Sequence, residues 1–133
     1  MAVPDPAELL ALMPFAVGTG VLLDRAGPDE VTGRLPWAPE RCTAGGVLHG
    51  GALMTLADTV GAVCALLNLP AGASTSTVAS STALMRAVRG GSAHAVARPL
   101  HTGRSFVVVS VELTDDEGRR VAQVTQTQAV LAG

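Results

Sequence analysis

The chain has 133 residues, of which 48% are hydrophobic and 15% charged, and its formal net charge is -2. A chain of this size and composition buries enough apolar surface to fold as a single domain over residues 1–133, which excludes intrinsic disorder. All nine basic residues are scattered arginines, and the only aromatic residues are Phe15, Trp37 and Phe106. Because neither a basic patch nor a row of stacking aromatics is present, we do not expect nucleic-acid binding.

The cysteines and the apolar stretches bear on the compartment. Cys42 and Cys64 lie outside any Cys-x-x-Cys spacing, and the N terminus lacks the pattern of a signal peptide. We therefore expect a cytoplasmic protein with reduced thiols. The longest apolar stretch, residues 47–67, contains His49 and Asp58 and has no flanking positive charge. It predicts a helix packed inside the protein and no membrane span.

The first third of the chain predicts a short helix followed by a β-hairpin. Asp5, Pro6 and Glu8 provide an N-cap, a proline at the first helical position and an acid at the third, and the helix should end at Pro14. Residues 17–25 and 30–35 are predicted strands, joined by a turn at residues 26–29. Residues 36–46 form a loop that leads into a long helix over residues 50–67.

Four further strands are predicted after this helix, at residues 75–87, 92–101, 105–114 and 119–131. Turns at residues 89–91, 102–104 and 115–118 separate them. The order contains no alternation of strand, helix and strand. It therefore favours an α+β fold in which an antiparallel sheet wraps around one long central helix.

Asp58 is the candidate functional residue of the long helix. At 100° per residue, one apolar stripe should face the sheet, formed by Leu53, Leu56, Val60, Val63, Cys64 and Leu67. Asp58 lies opposite, among small or apolar residues: Gly51, Met54, Thr55, Gly61, Ala62 and Ala65. A carboxylate there is either poorly solvated or faces another protein surface, a pattern typical of functional sites. The alternative is a structural bridge, or a carboxylate pointing to solvent.

The start of the same helix offers backbone donors. Gly50 and Gly51 leave N–H groups uncovered at the positive end of the helix dipole, where they can polarise a carbonyl. His49 either shapes this site or only packs the loop. Gly50 and Asp58 are about 12 Å apart along one helix, too far to contact the same carbonyl. Two antiparallel helices across a twofold axis would bring them together, so we expect a dimer with two composite sites.

Residues 45–59 carry a family resemblance. They read Gly-Gly-Val-Leu-His-Gly-Gly-Ala-Leu-Met-Thr-Leu-Ala-Asp-Thr, which closely resembles the His-Gly-Gly-x6-Asp signature of the phenylacetate-pathway (PaaI-like) thioesterases and their 4-hydroxybenzoyl-CoA relatives. With residues 81–91 and 103–122, the resemblance covers most of the chain. It implies the hotdog fold, acyl-CoA hydrolysis, a homodimer or homotetramer, and no cofactor beyond the coenzyme A of the substrate.

The resemblance also implies roles for individual residues. The Gly50 N–H would bind the thioester oxygen, Asp58 would act as base or nucleophile, and His49 would help to shape the oxyanion site. A Ser or Thr on the following strand would hold the water; Thr77 matches best, and Ser76 is the alternative if the register differs by one. Either hydroxyl could equally be an ordinary strand residue.

Coenzyme A binding and the rim of the site are less sharply defined. The resemblance places basic residues for the nucleotide near Arg104 and Arg89, although both could be solvated turn residues. Gly51 would permit close approach of the substrate. The family often has an asparagine six residues before the histidine, where this chain has Thr43. A threonine there predicts either partial replacement by the hydroxyl or an altered substrate.

His94 and His101 have an odd spacing on one predicted strand, which predicts opposite faces and no metal site.

Three functions remain to be compared. The leading hypothesis is hydrolysis of an acyl-CoA, with aryl and arylacetyl groups as candidates. The alternative is a non-catalytic hotdog module that binds acyl-CoA. Hydration of enoyl thioesters ranks last, because no histidine follows one turn beyond Asp58.

Overall fold

The computed structural model of the protein describes residues 4–133 and contains one six-stranded sheet, one long helix and two short helices. The helices are α1 (Pro6–Ala11), α2 (Pro14–Thr19) and α3 (Gly50–Leu66), with a single 3-10 turn at Pro39–Arg41. The strands are β1 (Leu22–Ala26), β2 (Val31–Pro36), β3 (Ser74–Leu84), β4 (Ser92–Thr102), β5 (Phe106–Thr114) and β6 (Arg120–Leu131).

The sheet has the strand order β1-β2-β4-β5-β6-β3, and all of its strand pairs are antiparallel. The apolar stripe of α3 packs against the inner face of this sheet: Leu56 and Val60 are completely buried, and so are the inward residues Val109 and Val111 of β5. Along β5, buried residues alternate with more exposed ones, as expected for a strand that is covered on one face only. The predicted α+β class and the sheet wrapped on a central helix are confirmed.

The N-terminal segment differs from the prediction. Residues 17–25 were expected as one strand, but Pro14–Thr19 forms α2 and β1 begins only at Leu22. Pro14 occupies the start of α2, where its fixed φ favours the helix. Gly20, at φ 100°, ends α2 in the left-handed conformation that glycine accepts most readily. These two signals outweigh the strand preference of Val17 and Val21.

Strand β3 lies at one edge of the sheet. Its 11 residues pair with β6 on one side, and most of its side chains are exposed. A long exposed edge presents unpaired backbone groups and is a ready place for another chain to add. No helix within residues 4–133 has both the length and the apolar character that crossing a membrane would need.

Candidate active site

The start of α3 is shaped by His49. It occupies the N-cap position, and its Nδ1 accepts a hydrogen bond from the Gly51 N–H at 2.8 Å. Because Nδ1 is an acceptor, the neutral ring carries its proton on Nε2. The N–H groups of Ala52 and Leu53 donate to the His49 carbonyl. Among the described residues, the Gly50 N–H has no acceptor, so it is the donor left available at this helix terminus.

Gly50 packs against the end of an exposed, flexible leucine side chain that can shift. A Cβ at this position would lie 2.8 Å from Cδ1 of Leu84, at the end of β3. Gly50 and Asp58 lie on the same continuous helix, which keeps them about 12 Å apart within one chain. One chain therefore cannot bring the free N–H and the carboxylate to a single carbonyl.

The carboxylate of Asp58 is held by two donors on one of its oxygens. Thr77 Oγ1 donates to Asp58 Oδ1 at 2.8 Å, and Gln126 Nε2 donates to the same oxygen at 2.9 Å. Within residues 4–133, Asp58 Oδ2 accepts no hydrogen bond. The side chain is exposed in the single chain, so it is not desolvated by its own subunit. Its orientation is fixed, and one oxygen stays open.

A second layer of hydrogen bonds lies behind these donors. Gln128 Nε2 donates to Thr77 Oγ1 at 2.7 Å and to Gln126 Oε1 at 3.0 Å. Gln126 comes close to α3 at Gly61, where a Cβ would lie only 2.5 Å from Gln126 Oε1. The glycine therefore makes room for the amide that reaches Asp58.

Gln126 and Gln128 were missed by the sequence analysis, although the sequence contains a signal for them. Side chains alternate in direction along β6, so Gln126 and Gln128 face inward together with Val124. Apolar side chains are the normal choice at inward positions. Two glutamines at such positions indicate a buried polar network. Of the two hydroxyls considered on β3, Thr77 contacts Asp58, whereas Ser76 is exposed and lies one register position away.

Two small cavities meet at the carboxylate. One has a volume of about 230 Å³ and is lined by Met54, Thr55, Asp58, Ser80 and Gln126. The other has a volume of about 220 Å³ and is lined by Met13, Phe15, Ala16, Thr55, Asp58, Thr59 and Ala62. An apolar cavity of about 270 Å³ shares Met13 and Ala62 with the second one. The acid thus adjoins one space between α3 and the strands β3 and β6, and a second space between α3 and α2.

The remaining predicted binding residues are dispersed. Arg89 lines a separate cavity of about 680 Å³ together with the β5–β6 turn, and its Nη1 lies 3.4 Å from the Gly45 carbonyl in the loop before α3. Arg104 lies in the β4–β5 turn, at the other end of β5, about 26 Å away along that strand. Thr43 is exposed in the same loop as Gly45. One chain therefore cannot use both arginines for one phosphate group.

The predicted placement of the other histidines was wrong. A β-bulge at Pro99–His101 changes the register, so His94 pairs with Thr114 and His101 with Val108. Both then lie on the outer face of the sheet, because residues directly opposite in a ladder share a face. His94 Nε2 lies 2.7 Å from Asp116 Oδ1. In the described part of the chain, no three His, Cys, Asp or Glu side chains gather as metal ligands would.

The cysteine of α3, Cys64, does not resemble a nucleophile. Both thiols are free, and Cys64 is completely buried on the sheet side of α3. Burial raises the pKa of the Cys64 thiol to about 11. A thiol with this pKa stays protonated near neutral pH and attacks poorly. Within α3, Asp58 rather than Cys64 therefore remains the candidate for a reactive side chain.

Known proteins are similar to this chain in sequence and architecture. A model of the thioesterase superfamily matches residues 45–122. The proofreading thioesterase EntH of Cronobacter sakazakii is 31% identical over 128 residues, which cover 92% of this chain and 93% of EntH. The 1,4-dihydroxy-2-naphthoyl-CoA hydrolase of Escherichia coli is 27% identical over 111 residues, covering 84% of this chain and 82% of the hydrolase.

The architecture agrees with these matches. The crystal structure of a variant of thioesterase PA1618 from Pseudomonas aeruginosa superposes with a TM-score of 0.91 at 26% identity, covering 98% of this chain and 96% of that one. The superfamily match covers more than half of the chain, and the structural likeness extends over almost its whole length. The chain belongs to the thioesterase superfamily and is an enzyme of its hotdog fold.

Proposed function

We propose that the protein hydrolyses an acyl-CoA thioester and that Asp58 is its general base or nucleophile. The observation that carries this proposal is the asymmetry of the carboxylate: Oδ1 takes both hydrogen bonds, while Oδ2 stays open beside two cavities. As a base, Oδ2 takes a proton from water, whose oxygen attacks the carbonyl carbon and displaces the CoA thiolate. As a nucleophile, Oδ2 itself attacks the carbonyl carbon and displaces the CoA thiolate, which gives a mixed anhydride that water then cleaves to the free acid and the Asp58 carboxylate.

The free Gly50 N–H complements this acid. It lies at the positive end of α3, where it would stabilise the negative charge that develops on the thioester oxygen. Since Gly50 and Asp58 of one chain are about 12 Å apart, we propose that each active site combines Asp58 of one subunit with Gly50 of a second. His49 contributes by fixing the helix start through its bond to Gly51.

The surface around β3 supports a homodimer of this kind. The open edge of β3 can pair with the same edge of another copy. Large apolar side chains are exposed on and near this edge, at Met54, Val78, Leu84 and Met85. A dimer that covers them would also enclose the helix face that carries Asp58. Pairing of dimers into a homotetramer is a second possible assembly, and sedimentation of the purified protein distinguishes the two.

The substrate would lie across this interface. The cavity beside Asp58 contains Phe15 and Met13 and would receive the acyl group, for which we propose an aryl or arylacetyl group. The E. coli relative, named for its 1,4-dihydroxy-2-naphthoyl-CoA, acts on an aromatic acyl group. The CoA phosphates would reach Arg89, which lies near the Gly50 end of the subunit that supplies the N–H.

The test is release of free thiol from a panel of aromatic, short-chain, medium-chain and long-chain acyl-CoAs. We expect turnover by the unmodified protein and a loss of at least about a hundredfold in Asp58→Asn, as for removal of a general base. Asp29→Asn, the same change at an exposed turn, is the control. Unchanged turnover in Asp58→Asn would remove this residue from the mechanism. Binding without release of CoA from any substrate would favour the acyl-CoA-binding module.

A further inference from the structure

Two glutamine side chains are buried behind Asp58, where the fold alone would place apolar residues. Gln126 is 1% exposed and Gln128 is completely buried, and Gln126 approaches α3 closely at Gly61. Burying an amide lowers stability unless its hydrogen bonds are made inside the protein. A pair of apolar side chains at these positions would serve the core at least as well, so the amides indicate a task beyond packing.

The direction of each hydrogen bond in this network follows from Asp58, because a carboxylate only accepts. Gln126 must therefore turn Nε2 toward Asp58 Oδ1, which leaves its Oε1 to accept from Gln128 Nε2 at 3.0 Å. The other hydrogen of Gln128 Nε2 goes to Thr77 Oγ1 at 2.7 Å. The single hydroxyl hydrogen of Thr77 is then free to donate to Asp58 Oδ1 at 2.8 Å.

We propose that Gln128 is a positioning residue for the reaction. By donating to both Thr77 and Gln126, it makes both of them donors to Asp58 Oδ1 and leaves Oδ2 turned toward the substrate. Gln128 makes no hydrogen bond to Asp58 within residues 4–133, so it acts only through its two neighbours. This inference rests on the proposed role of Asp58 in thioester hydrolysis.

Loss of the Gln128 amide would remove this control. The Thr77 hydroxyl would be free to rotate away from the carboxylate, and Gln126 Oε1 would lose the donor that holds its side chain in place. Asp58 would then sample orientations in which Oδ2 does not face the substrate. Misorientation of a reacting group lowers the rate of the chemical step more than it lowers substrate binding.

The kinetic test uses Gln128→Met, which has a similar length and cannot donate. We expect kcat to fall about tenfold with little change in KM, a smaller loss than removal of the base itself. The matched control is Gln123→Met on the opposite face of β6, where the amide donates to Ser110 Oγ at 3.0 Å. We expect kcat of the control to stay unchanged. An unchanged kcat in Gln128→Met would overturn the proposal.

A double variant separates positioning from a purely structural role. If Gln128 acts through Asp58, then adding Gln128→Met to Asp58→Asn leaves the residual rate unchanged, because the group being positioned is already lost. A general weakening of the fold would lower the rate by the same factor in both backgrounds. Equal factors would therefore contradict the proposal.

The geometry is testable without any activity. In a 15N-edited NMR spectrum, the side-chain amide of Gln126 is assigned by its disappearance in Gln126→Met. We expect this signal to move in Gln128→Met and in Asp58→Asn, and to stay in place in Gln123→Met. Absence of CoA release from every acyl-CoA would refute the proposed function alone. A Gln126 signal that does not move in Gln128→Met would refute the positioning by Gln128.

Discussion

On the side of α3 that faces the sheet, Leu53, Leu56 and Val60 are buried, whereas on the opposite side Met54 and Asp58 are exposed. The first side fixes the helix by removing apolar surface from water. The second side does not contribute to this burial, so it can carry a carboxylate and small residues that leave room for a substrate. Under the proposed mechanism, one helix separates stability from chemistry by face, and variants on each side should separate the two properties.

The largest expected effect lies at the start of the exposed side. Gly50→Pro removes the free N–H, while proline is well tolerated at the first position of a helix after an extended residue, and His49 is extended at ψ 136°. We expect kcat to fall about 100-fold to 1000-fold, as for loss of an oxyanion donor. Gly50→Ala keeps the N–H and meets the same Leu84 side chain, so it is the control.

The same variant tests whether the site is shared between subunits. Co-expression of Gly50→Pro with Asp58→Asn should recover about a quarter of the normal activity, because half of a random mixture is heterodimer with one intact site. Differently tagged copies allow the heterodimer to be purified and assayed. If the heterodimer is as inactive as each parent, Gly50 and Asp58 do not act together across an interface.

On the buried side, Leu56→Ala should have the opposite signature. Leu56 is completely buried against the sheet, and truncation leaves a cavity that costs about 2–5 kcal/mol of unfolding free energy. Urea denaturation followed by circular dichroism measures this loss. At a temperature where the variant stays folded, we expect kcat to remain close to that of the unmodified protein. A large loss of kcat in the fully folded variant would mean that the two sides are not independent.

Gly61→Ala lies between the two sides and should affect both weakly. The new Cβ would press on Gln126 Oε1, which lies 2.5 Å from its position, so overpacking outweighs the gain in helix propensity. We expect a loss of about 1 kcal/mol in stability and a fall in kcat of about threefold from the displaced amide. Gly18→Ala in α2 meets nothing within 4 Å and should be neutral or stabilising in the same measurements.

The smallest expected effect on catalysis lies at the β5–β6 turn, away from both sides of α3. Burial opposes the ionisation of Asp115, but hydrogen bonds from the N–H groups of Arg119 and Glu117 and the charge of Arg119 outweigh it and hold the pKa of this carboxyl below its ordinary range. The ionised form is therefore favoured in the folded state. Its contribution to stability is complete above the ordinary value of about 4 and is lost as the pH falls through the lowered pKa.

Asp115→Asn should consequently lower the melting temperature at pH 7, with a difference that shrinks as the solution is acidified below pH 4. Asp29→Asn at an exposed turn is the control and should melt like the unmodified protein, both at pH 7 and in the acidified solution. We expect kcat to be unchanged in both variants. A difference in melting temperature that persists at acid pH would show that the ionised carboxylate is not what stabilises this turn.

Much of the fold followed from local patterns. The helical period over residues 50–67 and the turn signals between the later strands placed α3 and β3 to β6 within a few residues of their observed bounds. The N-terminal region was less predictable. There, β-branched residues favoured a strand, while Pro14 and Gly20 enclosed a helix between them. When strand and helix signals compete in this way, their combined energies decide which element forms. The preferences of single residues do not give that balance.

The bulge in β4 shows a second kind of limit. Spacing alone placed His94 and His101 on opposite faces, because a regular strand alternates at every residue. One extra residue at Pro99–His101 reverses that alternation and places both on the outer face. The pairing partner decides where such a bulge forms, so the sequence of β4 by itself does not reveal it.

By itself, the sequence determined α3, the strands β3 to β6, the apolar stripe of α3 and the presence of an acid opposite that stripe, since these depend on periodicity and on residues close together in the chain. The tertiary structure decided what surrounds the acid. Thr77 and Gln126 reach Asp58 from 19 and 68 residues further along the chain, through the pairing of β3 with β6 beside α3. Contacts between distant segments depend on strand order and register, which local patterns do not specify.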